Sequence, residues 1–152
     1  MAKFVYRMQN ILNIKLKLET QAKMAYSQAN ALLREEEEKL RSLFDRRMFY
    51  ERRAKELVEG RLDLMEIKDC RQAIETMKVL IRRQMMQVQL AERKVEAARA
   101  QLENVMKERK TQEILRDKAF EEFKQEQEHE ESKAVDELVS YTYGRNKEQD
   151  RR

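Results

Sequence analysis

The side chains that could carry chemistry are few and scattered. One histidine, His129, lies among glutamates and glutamines, where an imidazole could act as a base or a metal ligand. One cysteine, Cys70, would be a nucleophile if its thiol were ionised. Glutamates cluster at 35–38 and again between 121 and 131, and grouped carboxylates can hold divalent cations. None of these forms a catalytic constellation, because a base needs a nucleophile and an orienting group converging on a pocket. His129 reads as a solvated residue and Cys70 as a small apolar side chain on a helix seam. The glutamate runs read as solvated faces. Gly60 and Gly144 are isolated, so glycine-rich phosphate loops are absent. A lone cysteine makes neither an internal disulfide nor a CxxC site, which suits a reducing compartment. The expectation is a chain that is not an enzyme and uses neither cofactor nor metal.

The elements that position these residues follow from composition. Of 152 residues, 41% are charged, two are glycine and none is proline or tryptophan. Sandwiches, barrels and α/β folds need many tight turns built from Gly, Pro, Asn and Asp, and this chain cannot supply them. A composition rich in Ala, Glu, Lys, Leu, Arg and Gln suits long helices. Residues 1–60 and 61–110 each carry a net charge of +4, and residues 111–152 carry −4. The charges alternate in sign along the body, as on a solvated helix face. There is no dense basic stripe for nucleic acid. No uncharged run reaches the roughly 18 residues of a membrane span, and Met1–Arg7 lacks the apolar stretch of a signal peptide. Direct membrane insertion is therefore not expected.

Apolar spacing predicts two long helices. In the first, Met8, Ile11, Leu18, Ala22, Ala25, Ala29 and Leu32 follow alternating steps of three and four, with Lys15 as an intruder. A slip of one residue then passes the row to Leu33, Leu40, Leu43, Tyr50, Ala54, Leu57 and Leu64, with Glu36, Arg47 and Arg61 interrupting. The second row is cleaner: Ile67, Cys70, Ile74, Met77, Ile81, Gln84, Val88, Ala91, Val95, Ala98, Leu102 and Val105. Heptads sustained this long argue for a coiled coil. Between the rows, Gly60 is expected to end the first helix with a positive φ, and Asp63 followed by Glu66 to open the second as a capping box. The predicted fold is all-α: two long helices in an antiparallel coiled-coil hairpin, with room for a short helix near the turn. The expected organisation is one elongated domain, with a first helix over 4–58, a turn or short helix over 59–66, a second helix over 67–120 and an acidic, partly unpaired tail over 121–152.

Around the turn the apolar groups exceed what a two-helix seam needs. Leu40, Leu43, Phe44, Met48, Phe49 and Tyr50 face more than one side, opposite Met77, Leu80, Ile81, Met85 and Met86. Surplus aromatic and methionine surface marks a docking site. In the tail, Val135, Leu138, Val139, Tyr141 and Tyr143 form a smaller apolar patch, and this segment is expected to order on a partner.

These residues resemble a known family. Met1–Phe4, Met8–Lys15, Glu19 and Lys23 look like the start of FliJ proteins, small cytoplasmic coiled-coil components of the bacterial flagellar type III export apparatus. Leu43-Phe44-Asp45, Tyr50, Gly60, Ile74–Met77 and Lys133–Glu137 extend the resemblance over nearly the whole chain. It implies a stalk-like coiled coil similar to the central stalk of rotary ATP synthases. Such a stalk would insert its terminal end into the hexameric ring of the export ATPase, FliI, and promote the ring's assembly and activity. It also implies binding to the cytoplasmic domain of the export gate protein FlhA, links to export chaperones, and a cytoplasmic location peripheral to the inner membrane at the flagellar base. Carried over by resemblance, the gate contacts fall at Leu43, Tyr50, Ala73, Met77, Leu80 and Gln84. Ala73 is smaller than the aromatic often found there. Contact with the ATPase ring is placed at Phe4, Arg7, Met8, Phe120 and Phe123. A generic coiled-coil scaffold and the stalk proteins of virulence injectisomes are the alternatives.

Overall fold

The computed structural model describes residues 2–61 and 63–151. The chain is all-α, with α1 over Gln9–Glu59 and α2 over Leu64–Asp150. Leu62, inside the expected turn, lies outside the described residues. Residues 64–66 form the start of α2 rather than a separate short helix. The two helices make a hairpin whose packing divides into two units, Met1–Lys17 with Met106–Arg152 and Leu18–Val105.

In the Leu18–Val105 unit, residue numbers fall along α2 as they rise along α1. Glu36 meets Gln84, and Ala54 and Val58 share a groove with Ile67 and Ile74. All twelve α2 positions of the expected seam are buried or half-buried, Met77, Ile81, Ala91 and Val105 most deeply. Eleven of them carry small or apolar side chains, so the spacing alone selects the covered face.

The seam of α1 follows expectation from Leu33 to Leu57 and differs before it. Glu19, Ala22, Tyr26, Ala29, Leu33, Glu36, Leu40, Leu43, Arg47, Tyr50, Ala54 and Leu57 form the covered row, in unbroken steps of three and four, with Asn30 and Leu32 half-buried beside it. The expected slip of register between Leu32 and Leu33 does not occur. Leu18 and Ala25 are exposed, and Leu64 belongs to α2 and is exposed. The reason is chemical. Several true seam positions are polar or small, so the neighbouring row looks more apolar than the row that packs. A charged group is tolerated in a seam only when it is paired. Glu19 is 7% exposed and lies 3.4 Å from Lys23, and the side-chain amide of Gln84 donates to both the backbone oxygen and the carboxylate of Glu36.

That contact has a pH consequence. The Gln84 hydrogen bond, aided by Lys39 and Lys94, holds the Glu36 carboxyl below its ordinary value of 4.5. The folded-state value is thus depressed relative to the unfolded chain. The contribution is present at neutral pH and is lost as pH falls through the carboxylate range. Glu36→Gln is expected to flatten the acid limb of a melting-temperature profile taken between about pH 3 and pH 7. An unchanged profile would show that Glu36 is not coupled to folding.

The turn is partly as expected. Asp63 Oδ1 accepts from the backbone N–H groups of Met65 (3.1 Å) and Glu66 (3.4 Å), and Ile67 N–H donates to the Asp63 carbonyl at 3.1 Å. Asp63 is therefore the N-cap of α2. Gly60, however, has no positive φ. Its N–H still donates to the Glu56 carbonyl at 3.2 Å. α1 stops here because glycine weakens a helix and an N-cap three residues later requires non-helical backbone. A Cβ on Gly60 would meet only the Glu56 carbonyl, at 3.6 Å. Gly60→Ala is accordingly expected to raise stability by about 0.4–1 kcal/mol by restricting the unfolded chain. A lowered melting temperature would mean that glycine is required.

In the other unit, the Met8 carbonyl accepts from the backbone N–H groups of Ile11 and Leu12 at the start of α1. Packing holds this start. Tyr6 and Leu12 are buried, and the Tyr6 hydroxyl donates to Gln112 Oε1 at 3.4 Å. Lys15 pairs with Glu108 at 2.7 Å. Met8 and Ile11, expected in the seam, are exposed. α2 continues as helix to Asp150, and from residue 128 onward every described residue is exposed.

Candidate functional site

Two groups of residues stand out, one in each unit. In the terminal unit, Phe4 precedes α1 and its ring meets two rings of α2. The centroid of Phe120 lies 5.1 Å away at 72°, edge to face, and that of Phe123 lies 5.4 Å away at 49°. Residues more than a hundred positions apart thus form one aromatic cluster. Edge-to-face ring pairs contribute about 0.5–1.5 kcal/mol beyond area burial. Lys124 Nζ stands 5.7 Å from the Phe120 ring centroid, which adds a cation to the cluster's rim. Phe120 remains partly open to solvent, and Arg7 and Met8 are exposed nearby in sequence.

The same unit exposes apolar side chains that the sequence reading passed over. Val5, Ile14, Leu16, Ile114 and Leu115 are all exposed. Their common signal was available: each is a large apolar residue off the seam row. So much apolar surface in a two-helix unit is characteristic of an interaction surface.

In the Leu18–Val105 unit, the six gate positions do not share one environment. Leu43 and Tyr50 are half-buried on the α1 seam. Ala73 and Leu80 are half-buried beside the α2 seam, while Met77 lies within it, only 4% exposed. Gln84 faces inward, its amide committed to Glu36. The freely presented apolar groups are neighbours of this set. Phe49 is 62% exposed and packs edge-on against Tyr50, with ring centroids 5.6 Å apart. Phe44, Met48, Met85 and Met86 are also exposed. Cys70 is a half-buried free thiol on the seam.

The chemistry of both groups is that of contact surface: aromatic rings, methionines and aliphatic side chains at helical spacing. No helix among the described residues is long and apolar enough to cross a membrane. The family described as Flagellar FliJ protein matches residues 4–148. The chain belongs to the FliJ family. That match spans both units, from Phe4 through the exposed C-terminal part of α2. FliJ membership makes the chain a component of the flagellar export apparatus. No curated protein and no solved structure matches it.

Proposed function

We propose that this FliJ protein is a non-enzymatic, stalk-like coupling factor of flagellar protein export. Its terminal unit engages the export ATPase FliI and promotes assembly and activity of the hexameric ring. Its Leu18–Val105 unit engages the cytoplasmic domain of the export gate FlhA, and the chain also meets export chaperones. It works in the cytoplasm, peripheral to the inner membrane at the flagellar base. The family match over residues 4–148 carries this reading.

The structure supports the division of labour by where it leaves apolar surface. The ATPase contact is assigned to Phe4, Arg7, Met8, Phe120 and Phe123, three of which form the aromatic cluster. The gate contact is assigned to Leu43, Tyr50, Ala73, Met77, Leu80 and Gln84. Met77 and Gln84 would act there by holding the seam, and Leu43, Tyr50, Ala73 and Leu80 by touching the partner. The test is ATP hydrolysis by the cognate export ATPase with and without this chain, at varied ATPase concentration. Stimulation that fades once the ring is already assembled supports a stalk that nucleates the hexamer. Absence of both stimulation and co-sedimentation would remove the ATPase from the proposal.

A further inference from the structure

The C-terminal part of α2 carries an apolar stripe of its own. Val135, Leu138, Val139 and Thr142 recur at the three- and four-residue spacing of one helix face. They stand open, with Val135 58%, Leu138 67% and Val139 61% exposed. The Thr142 hydroxyl donates to the Leu138 carbonyl at 2.9 Å. Its polar group is thereby satisfied within the helix, and its methyl is left to the stripe. Tyr143 lies to one side, with Lys147 Nζ 5.5 Å from its ring centroid.

The same row continues in polar residues with a definite order of charge. Glu128 and Glu131 precede the stripe, and Arg145 and Gln149 follow it. We propose that this face docks against the same face of a second copy of the chain, with the two helices antiparallel. The charge order complements a second copy of the same stripe and fixes the direction of the pairing. With Val135 of one copy opposite Leu138 of the other, Glu128 falls opposite Arg145 and Glu131 opposite Thr142. Two-fold symmetry makes each of these pairings twice. A parallel pairing would instead stack Glu128 on Glu128, Glu131 on Glu131 and Arg145 on Arg145, and facing like charges repel. The stripe is self-complementary only when inverted on itself.

Residues 124–149 give about 40 Å of helix for this contact, but its apolar part is only two turns long. The result is a reversible, concentration-dependent dimer, weakened by salt because its flanking ion pairs are exposed. The apolar stripe and its ion pairs share no residue with the aromatic cluster, which ends where this contact begins at Lys124, or with the gate-assigned set, so charge and stripe substitutions test the dimer without altering those assignments.

Sedimentation of the full chain over a concentration series tests it. The expected result is a monomer–dimer equilibrium whose dissociation constant rises at least about tenfold in Leu138→Glu. Helicity by circular dichroism stays unchanged there, because the replaced side chain is exposed. Arg145→Glu and Glu128→Arg each weaken the dimer, and the two together restore it, because the swapped charges again face each other across the antiparallel pair. A chain that stays monomeric throughout overturns the proposal. So does a dimer indifferent to Leu138→Glu, or a double charge swap no better than the singles.

Discussion

Met77→Glu is expected to destabilise the Leu18–Val105 unit by about 3–5 kcal/mol, enough to melt much of its helix at moderate temperature. Met77 is 4% exposed and packs in the seam with Ile81, which is equally buried. Glutamate is close to methionine in length and volume, so the cost is that of its carboxylate, which must lose water without a prepared partner. A domain's whole stability is about 5–15 kcal/mol, so one such change decides whether the unit folds. Leu80→Glu makes the informative comparison. Leu80 is half-buried beside the seam, so its replacement is expected to cost about 1 kcal/mol. Urea unfolding followed by circular dichroism should therefore separate the two variants widely. Binding to the FlhA cytoplasmic domain is expected to fail in both, for different reasons: Met77→Glu loses the scaffold, and Leu80→Glu loses contact on an intact scaffold. A Met77→Glu chain as stable as the parent would contradict the packing. A Leu80→Glu chain with undiminished gate binding would take Leu80 out of the gate surface.

The second large effect is expected at the aromatic cluster. Phe4→Ala combined with Phe120→Ala should abolish stimulation of the export ATPase. Buried aromatic anchors at interfaces cost about 2 kcal/mol or more when truncated, roughly thirtyfold in affinity for each. Part of the loss would arise within the chain, because Phe4 holds the approach to α1 through its contacts with Phe120 and Phe123. Phe120→Leu separates the two contributions, since it keeps apolar area and gives up the ring geometry. Phe49→Ala serves as the control. It removes an equally large and more exposed ring from the other unit, and ATPase stimulation should survive it. Hydrolysis rates measured across this set place the ring contact. Equal loss in Phe49→Ala would show that the effect is not specific to the terminal unit.

The residues differ in how openly they announce their places. α2 was legible because eleven of its twelve seam positions are small or apolar and the polar one, Gln84, finds its partner across the seam. α1 was legible from Leu33 to Leu57, where Glu36 and Arg47 interrupt an otherwise apolar row, and not before it. There the covered row contains Glu19 and Tyr26, while Met8, Ile11 and Leu18 lie on the exposed row beside it. Hydropathy ranks rows of one helix in isolation, whereas packing ranks them against the helix that faces them. Asp63 could be read as a cap because capping is a local matter of side-chain reach. The backbone of Gly60 could not, because glycine permits both signs of φ and its neighbours choose.

Composition and spacing by themselves determined the helical class, the single hairpin break and the buried face of α2. These depend on local propensity and on repeats within one helix. The resemblance to FliJ proteins came instead from particular residues, among them Met1–Phe4, Met8–Lys15 and Leu43-Phe44-Asp45. Only the tertiary structure decided which row of α1 is covered, which gate-assigned residues face inward, and that Phe4 meets both Phe120 and Phe123. Each of those depends on how two distant segments register against each other, and pairing across a seam is energetic information that neither segment carries alone.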